Sequence, residues 1–386
     1  MSGLTRLTSV FCFVAIAITI GTVSYSAYKG HADDSDIDAV LSAYPNLKGT
    51  AIDSCATCHK SGKVADEPGT LRQESHCGYC HATHVRKNIS AQETLNRYGV
   101  DYLAAGRGIK AVQSIAAKDS DGDGFSNEAE FLRGTNPGEA QSNPSSAIAP
   151  NKILSSAEIR ALSPVASETV FLNTSHNKQG DSYNEYRGNK VYELLQAVGI
   201  LDAAESVDFI SLDGFEGSFT MKELKTEWPQ GKPVLGLDRN TLGACGWLNY
   251  NVSGLDEKVA LPSARVMLAF EENGRKIESG RLDPATGRII GTGPLRLVVP
   301  QFKISPPDLP RYAEQSCQER MPKEYRFNED YDHNGGRSSF SIIAVRINPL
   351  PKGTRDFDWP KIKDDLISGE KIVFFGALKS PTKKRP

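Results

Sequence analysis

The residues richest in chemistry lie between Asp53 and His84, in DSCATCHKSGKVADEPGTLRQESHCGYCHATH. Two thiols three positions apart, followed at once by an imidazole, occur there twice: Cys55, Cys58 and His59, then Cys77, Cys80 and His81. In C-x-x-C-H the two sulfurs add to the vinyl groups of one haem as thioethers, and the imidazole takes the proximal position on its iron. Two such pentapeptides within 27 residues read as attachment points for two c-type haems. The same four cysteines also satisfy other chemistries. With 18 residues between Cys58 and Cys77 they fit the spacing of a structural zinc site, and paired thiols also perform disulfide exchange. Neither needs a histidine directly after each pair, and both pairs have one.

The sixth iron ligand follows from inventory. Met1, Met221, Met267 and Met321 all lie far from the paired motifs, whereas His76 and His84 flank the second one. Bis-histidine ligation at both irons is therefore expected. His84, three residues after His81, can turn from its own haem towards the neighbour on a short helix. His76 is more constrained, being adjacent to Cys77, and either imidazole has the alternative of being a solvated polar group. Imidazole on both faces predicts low reduction potentials.

A second motif follows. Asp119 to Glu130 (DSDGDGFSNEAE) matches the twelve-residue EF-hand calcium loop. Asp119, Asp121 and Asp123 occupy positions 1, 3 and 5, Gly124 makes the turn at 6, and the Phe125 carbonyl serves at 7. Asn127 stands at 9, acting through water, and Glu130 at 12 is placed for bidentate binding. Position 8 is Ser126 rather than an aliphatic residue, so a solitary loop is expected, resembling those of dockerin or thrombospondin repeats. Four carboxylates this close repel one another without a cation. An acidic turn without an ion is the alternative.

These groups need elements to carry them. The chain has 386 residues, enough for two or three domains. A formal charge of −2 gives no argument for nucleic acid or an anionic membrane. Arg6 precedes an apolar run from Val10 to Ile20 and a small-residue stretch, the pattern of a secretory leader cut after Ser26 or Ala32. The alternative is an uncleaved anchor in the inner membrane. Either way, residues 1–32 direct the chain to the periplasm or beyond, where c-type attachment takes place and where Cys245 and Cys317 are free to form a disulfide.

Residues 33–118 read as a small, mostly α haem domain with little regular structure. It has a short helix through Leu41 and Tyr44, a capping box at Ser90 and Glu93, and helical spacing at Leu95, Tyr98 and Tyr102, then at Ile109, Val112 and Ile115. Tyr98 and Tyr102 read as core. Residues 119–135 hold the calcium loop and its helix, and 136–150 (NPGEAQSNPSSAIAP) read as a linker. Residues 151–386 alternate helix and strand: a helix over Val191–Ile200, strands at Val207–Leu212, Arg265–Phe270 and Leu295–Val299, and turns at Asp213-Gly214 and Asn273-Gly274. His176 and His333 read as polar residues rather than ligands, the second in an exposed turn.

The first half thus resembles a dihaem c-type cytochrome. The order of fragments over about 160–345 resembles the molybdopterin-binding domain of the sulfite oxidase family. It runs through Tyr186-Arg187-Gly188, Leu194-Leu195, Val198-Gly199-Ile200, Asp213-Gly214-Phe215, Leu268 to Gly274 and Gly293 to Pro300. The resemblance implies an α+β domain. The family binds molybdenum through a Cys before the helix corresponding to Val191–Ile200, but no Cys lies between Cys80 and Cys245 here, and Cys245 comes too late. The expectation is a related fold without the cofactor. The overall expectation is an exported dihaem electron carrier with structural calcium and a C-terminal domain that docks redox partner proteins. Two alternatives remain: a haem-coupled molybdenum oxidoreductase, and a zinc- and calcium-binding surface module.

Overall fold

The computed structural model describes residues 35–65, 71–74, 91–175, 180–283 and 289–379. The leader, Ser90, His76, Cys77, Cys80, His81, His84 and His176 lie outside the described residues. Among the described residues, no helix is long and apolar enough to cross a membrane.

The first module is mostly helical: α1 (Ser35–Ala43), α2 (Arg97–Ala104), α3 (Gly108–Ser114) and α4 (Asn127–Arg133), with a short hairpin of β1 (Gly62–Ala65) and β2 (Leu71–Glu74). Its core is built from Val40, Leu47, Ile52, Tyr98, Tyr102, Val112 and Phe131. Two expectations shift. The 91–94 stretch forms a 3-10 turn, and α2 begins only at Arg97, because the Asn96 carboxamide caps it by accepting from Gly99 N at 2.8 Å. Ile109 is 41% exposed while Ala111, Val112 and Ile115 are buried. The chain reverses through Gly106, Arg107 and Gly108, all at positive φ, and α3 leaves that turn rotated away from the phase of α2.

The 136–150 stretch is not a loose connection. Within it, β3 (Ala147–Ile148) pairs in parallel with β16 (Thr354–Arg355), Ala149 is fully buried, and Gln141 Nε2 donates to the carbonyls of Leu350 and Pro351. Its Pro, Ser and Asn residues make turns that pack on the protein.

The second half is α+β. In chain order it contains β4 (Asn151–Ser155), α5 (Ser156–Leu162), β5 (Val165–Leu172), β6 (Ser182–Lys190), α6 (Val191–Val198), β7 (Ser206–Ser211) and β8 (Glu216–Thr220). There follow β9 (Asn249–Tyr250), β10 (Met267–Glu272), β11 (Arg275–Lys276), β12 (Arg281–Leu282), β13 (Ile289–Ile290), β14 (Arg296–Val298), β15 (Ile342–Asn348) and β17 (Lys371–Gly376). One sheet has the order β4-β17-β15-β7-β8, with only β15 and β17 parallel. The other runs β11-β10-β6-β5, with β14 pairing β10 and β9 pairing β6. Leu194 and Leu195 of α6 share one apolar cluster with Val207, Phe209, Leu268, Leu297, Val345 and Phe374 from both sheets. The helix stops at Gly199, whose φ of 94° only glycine adopts cheaply.

Candidate functional site

Cys55 to Thr57 form a single 3-10 turn, and the Cys55 carbonyl accepts from Cys58 N at 3.2 Å and from His59 N at 2.9 Å. One turn of backbone therefore carries both sulfurs and the imidazole. Its own carbonyls are held from outside. Asn96 Nδ2 donates to the carbonyls of Ala56 and Thr57 at 3.1 and 3.0 Å, Asn96 N donates to that of Cys58 at 2.8 Å, and Asn136 Nδ2 reaches Ala56 at 2.9 Å. Gly99 packs so closely that a Cβ there would lie 2.2 Å from the Cys58 carbonyl oxygen. A side chain at this position would push the turn away.

His59 Nδ1 lies 2.8 Å from Thr94 Oγ1, and Thr94 is fully buried. Metal-binding imidazoles characteristically engage one ring nitrogen in this way, which fixes the ring and leaves the other, here Nε2, for a metal. Cys55 and Cys58 are both thiols. Burial pushes the Cys58 thiol up to about 12, and the Asp36 carboxylate and Cys55 act in the same direction. The donor set on Cys55, Cys58 and His59 fits c-type attachment. Its counterpart at Cys77, Cys80 and His81, and the distal candidates His76 and His84, lie outside the described residues.

The acidic loop over 119–130 has its carboxylates sorted by partner. Asp119 Oδ1 accepts from Gly122 N and Asp123 N at 2.8 and 3.2 Å, and its Oδ2 accepts from Gly124 N at 2.9 Å. Asp121 and Asp123 each turn one oxygen to the loop backbone, Asp121 Oδ1 to Asp123 N and Asp123 Oδ1 to Phe125 N. Their other oxygens, together with both oxygens of Glu130, are buried without a hydrogen-bond partner among the described residues. Ligand atoms of Asp119, Asp121 and Asp123 lie within 4.8 Å of one another. Buried carboxylate oxygens normally have partners, so this set fits a divalent cation with oxygen ligands. The electrostatics agree. Burial, then Asp121, Asp123 and Asp119, pushes Glu130 up to about 9, and burial with Asp123 pushes Asp121 up to about 6. Backbone N–H groups, Gly124 first, hold Asp119 below the ordinary carboxylate range. Positive φ at Gly122 and Gly124 lets the loop close on itself.

Asn127 departs from its expected role at position 9. It is fully buried at the start of α4, its Oδ1 accepts from Ser120 N, and its Nδ2 donates to the Ile115 carbonyl and Ser120 Oγ. Because Ser126 caps α4, accepting from Ala129 N, the helix starts one residue earlier than a ligand at position 9 would allow. Asn127 therefore braces the loop from behind.

In the second half Cys245 and Cys317 are joined by a disulfide. Cys245 sulfur is thus not a thiolate available to molybdenum. His333 is not in an exposed turn: its Nε2 lies 3.3 Å from buried Asp308, its ring stacks on Phe327, and neighbouring Asn334 is fully buried. Sequence spacing also missed a buried ion cluster, in which Arg346 meets Asp208, Glu216 and Asp356. The arginine's partners come from β7, the start of β8 and the stretch after β16, so no local pattern reveals them. A cleft of about 370 Å³ runs between the two halves, with His59, Asn96 and Asn136 on one wall and Arg346 and Asp356 on the other. No protein-family model matches this sequence, and no curated protein matches it.

Proposed function

We propose that this chain is an exported dihaem c-type electron-transfer protein with a structural calcium ion and an α+β domain that docks its redox partners. The observation that carries the reading is the Cys55–His59 turn, where two thiols and an imidazole with a buried Thr94 partner share one fixed stretch of backbone. Cys55 and Cys58 would hold the first haem as thioethers, and His59 would bind its iron. A bound haem supplies an iron that gains or loses one electron without bond rearrangement. The protein's part is to keep that site rigid, and the carbonyls held by Asn96 and Asn136 serve this end. Cys77, Cys80 and His81 would hold the second haem, with His84 and His76 as distal ligands. Asp119, Asp121, Asp123, Glu130 and the Phe125 carbonyl would hold calcium.

The α+β half would resemble the molybdopterin-binding domain of the sulfite oxidase family in strand order while working without that cofactor. The disulfide at Cys245 supports this, since it occupies a sulfur otherwise open to molybdenum. The test is made on protein from a host competent in c-type maturation. A pyridine haemochrome spectrum should give two haems per chain, and mass spectrometry should place both on the fragment holding Cys55 to His81. A fragment with bare cysteines, or one retaining only zinc, would overturn the reading.

A further inference from the structure

The calcium loop and the first haem-attachment turn are separated by more than 50 positions in sequence, yet they share a pair of adjacent residues. Arg97 Nη1 donates to the Asp121 carbonyl at 2.8 Å, within the loop. Asn96, the residue before it, grips the turn through Ala56, Thr57 and Cys58. A second arm leaves the loop from its other end. Glu130 is followed by Phe131, which packs edge-on against Tyr98 with ring centroids 5.2 Å apart, next to Arg97 on α2. The chain then leaves α4 and brings Asn136 to the same Ala56 carbonyl. Gly138 closes the arrangement, for a Cβ there would lie 2.2 Å from the Asn96 carboxamide.

We propose that Asn96, Arg97 and Asn136 are positioning residues through which calcium occupancy of the 119–130 loop fixes the backbone of the Cys55–His59 turn. The proposal rests on the calcium reading above but does not require haem to be attached. Until a cation joins them, Asp119, Asp121 and Asp123 crowd around one point and buried oxygens of Asp121 and Glu130 lack partners among the described residues, so the ion-free loop is loosened where Asp121 and Glu130 sit. Arg97 and Asn136 are fixed to those two places, one by a hydrogen bond and one by six residues of packed chain. Loosening at the loop therefore reaches Ala56 from both sides. The coupling is a two-site effect of the ordinary kind, with a contiguous set of contacts to carry it.

The test uses the full chain as purified, with calcium binding followed by calorimetry and backbone exchange followed by hydrogen–deuterium mass spectrometry over residues 55–60 and 94–97. Calcium removal should speed exchange in those peptides about tenfold, the scale expected when one hydrogen bond from a charged group is lost. In Arg97→Ala, calcium should still bind while exchange over 55–60 loses most of its calcium dependence. Arg97→Lys, which keeps the charge and most of the stem, guards against simple misfolding and should retain part of it. Calcium that binds without changing exchange over 55–60 overturns the coupling and leaves the calcium site standing, as does full dependence in Arg97→Ala. Absence of calcium binding to the wild-type chain overturns both. Calcium-dependent exchange in a chain without haem supports the coupling and removes only the haem assignment.

Discussion

Asn96 and Asn136 donate to one acceptor, the Ala56 carbonyl, from 3.1 and 2.9 Å. They arrive from opposite sides of the acidic 119–130 loop in sequence, and between them they use both lone pairs of a carbonyl that lies between Cys55 and Cys58. A turn that formed two thioethers would have to present two sulfurs and an imidazole in one geometry, and a backbone held at its midpoint would meet that demand at little entropic cost on binding.

Asn96 has two jobs that substitution can separate. Its carboxamide oxygen caps α2 at Gly99 N, and its nitrogen holds Ala56 and Thr57. Asn96→Ala loses both and should cost about 2–4 kcal/mol in denaturant unfolding. Asn96→Asp keeps the cap but turns two donors into repulsive acceptors facing carbonyls. It should therefore be no more stable than the alanine variant, despite preserving the helix start. An aspartate variant close to wild type would show that the cap, rather than the grip on the turn, is what matters.

The acidic loop makes a pH prediction with a definite sign. Glu130 titrates near 4.5 in an unfolded chain and is pushed up to about 9 in the calcium-free fold, chiefly by burial. Between those values the folded state keeps a proton the unfolded state has released, so stability falls as pH rises. Calcium-free protein should lose on the order of a few kcal/mol from pH 5 to pH 9. Calcium bound there would replace the proton and should flatten the slope, with protons released on binding. Glu130→Gln should flatten it without calcium, and should weaken calcium binding by roughly 10- to 100-fold. Chemical unfolding at several pH values with and without chelator reads all of this. A calcium-free chain whose stability rises towards pH 9 would contradict the assignment of Glu130.

If His59 ligates haem iron as proposed, the Thr94 hydroxyl 2.8 Å from its Nδ1 is expected to raise the basicity of the ring. Thr94→Val keeps the shape and removes the oxygen. The imidazole then donates less to ferric iron, so the potential of one haem should rise while the other stays put. Spectroelectrochemistry resolves the two. Equal shifts at both haems, or none, would remove Thr94 from this role.

What the sequence made legible is what chemistry forces to be local. Cys55, Cys58 and His59 fall on one turn because five consecutive residues hold them, and the carboxylates of Asp119, Asp121 and Asp123 draw together because alternate positions of one loop carry them. The residues that support them work at long range and leave no such trace. Asn96 and Asn136 reach Ala56 across 40 and 80 positions. Asn334, within a sequence that reads as an exposed turn, is buried because its Nδ2 donates to the carbonyls of Phe171 and Val299. An Asn-Gly-Gly run announces a change of direction but not which side of it faces the protein. The α+β texture of the second half was legible because Val191–Val198 carries a helical period ended by glycine. Strand β7 was legible as a strand from its apolar and β-branched residues, although the burial of Asp208 within it was not.

That buried aspartate is one of three carboxylates gathered around Arg346. Arg346 donates to Asp208, Glu216 and Asp356 at 2.9, 3.0 and 2.9 Å, and Asp208 and Glu216 are 2% and 8% exposed. Burial, opposed by Arg346 and reinforced by Asp208 and Asp356, leaves Glu216 pushed up to about 7. One cation among three carboxylates is stable only while a proton or the arginine offsets the excess charge. Arg346→Met keeps the stem volume and strands two buried carboxylates, which should cost about 3–5 kcal/mol at pH 8. At pH 5 Glu216 can hold a proton, because loss of the arginine raises its affinity for one further, so the cost there should be markedly smaller. Glu216→Gln in the same background should restore part of the stability at pH 8 and little at pH 5. Unfolding measured at both pH values decides it: an equal loss at pH 5 and pH 8 would mean that Arg346 stabilises the β7–β15 pairing through packing of its stem, with the carboxylates as bystanders.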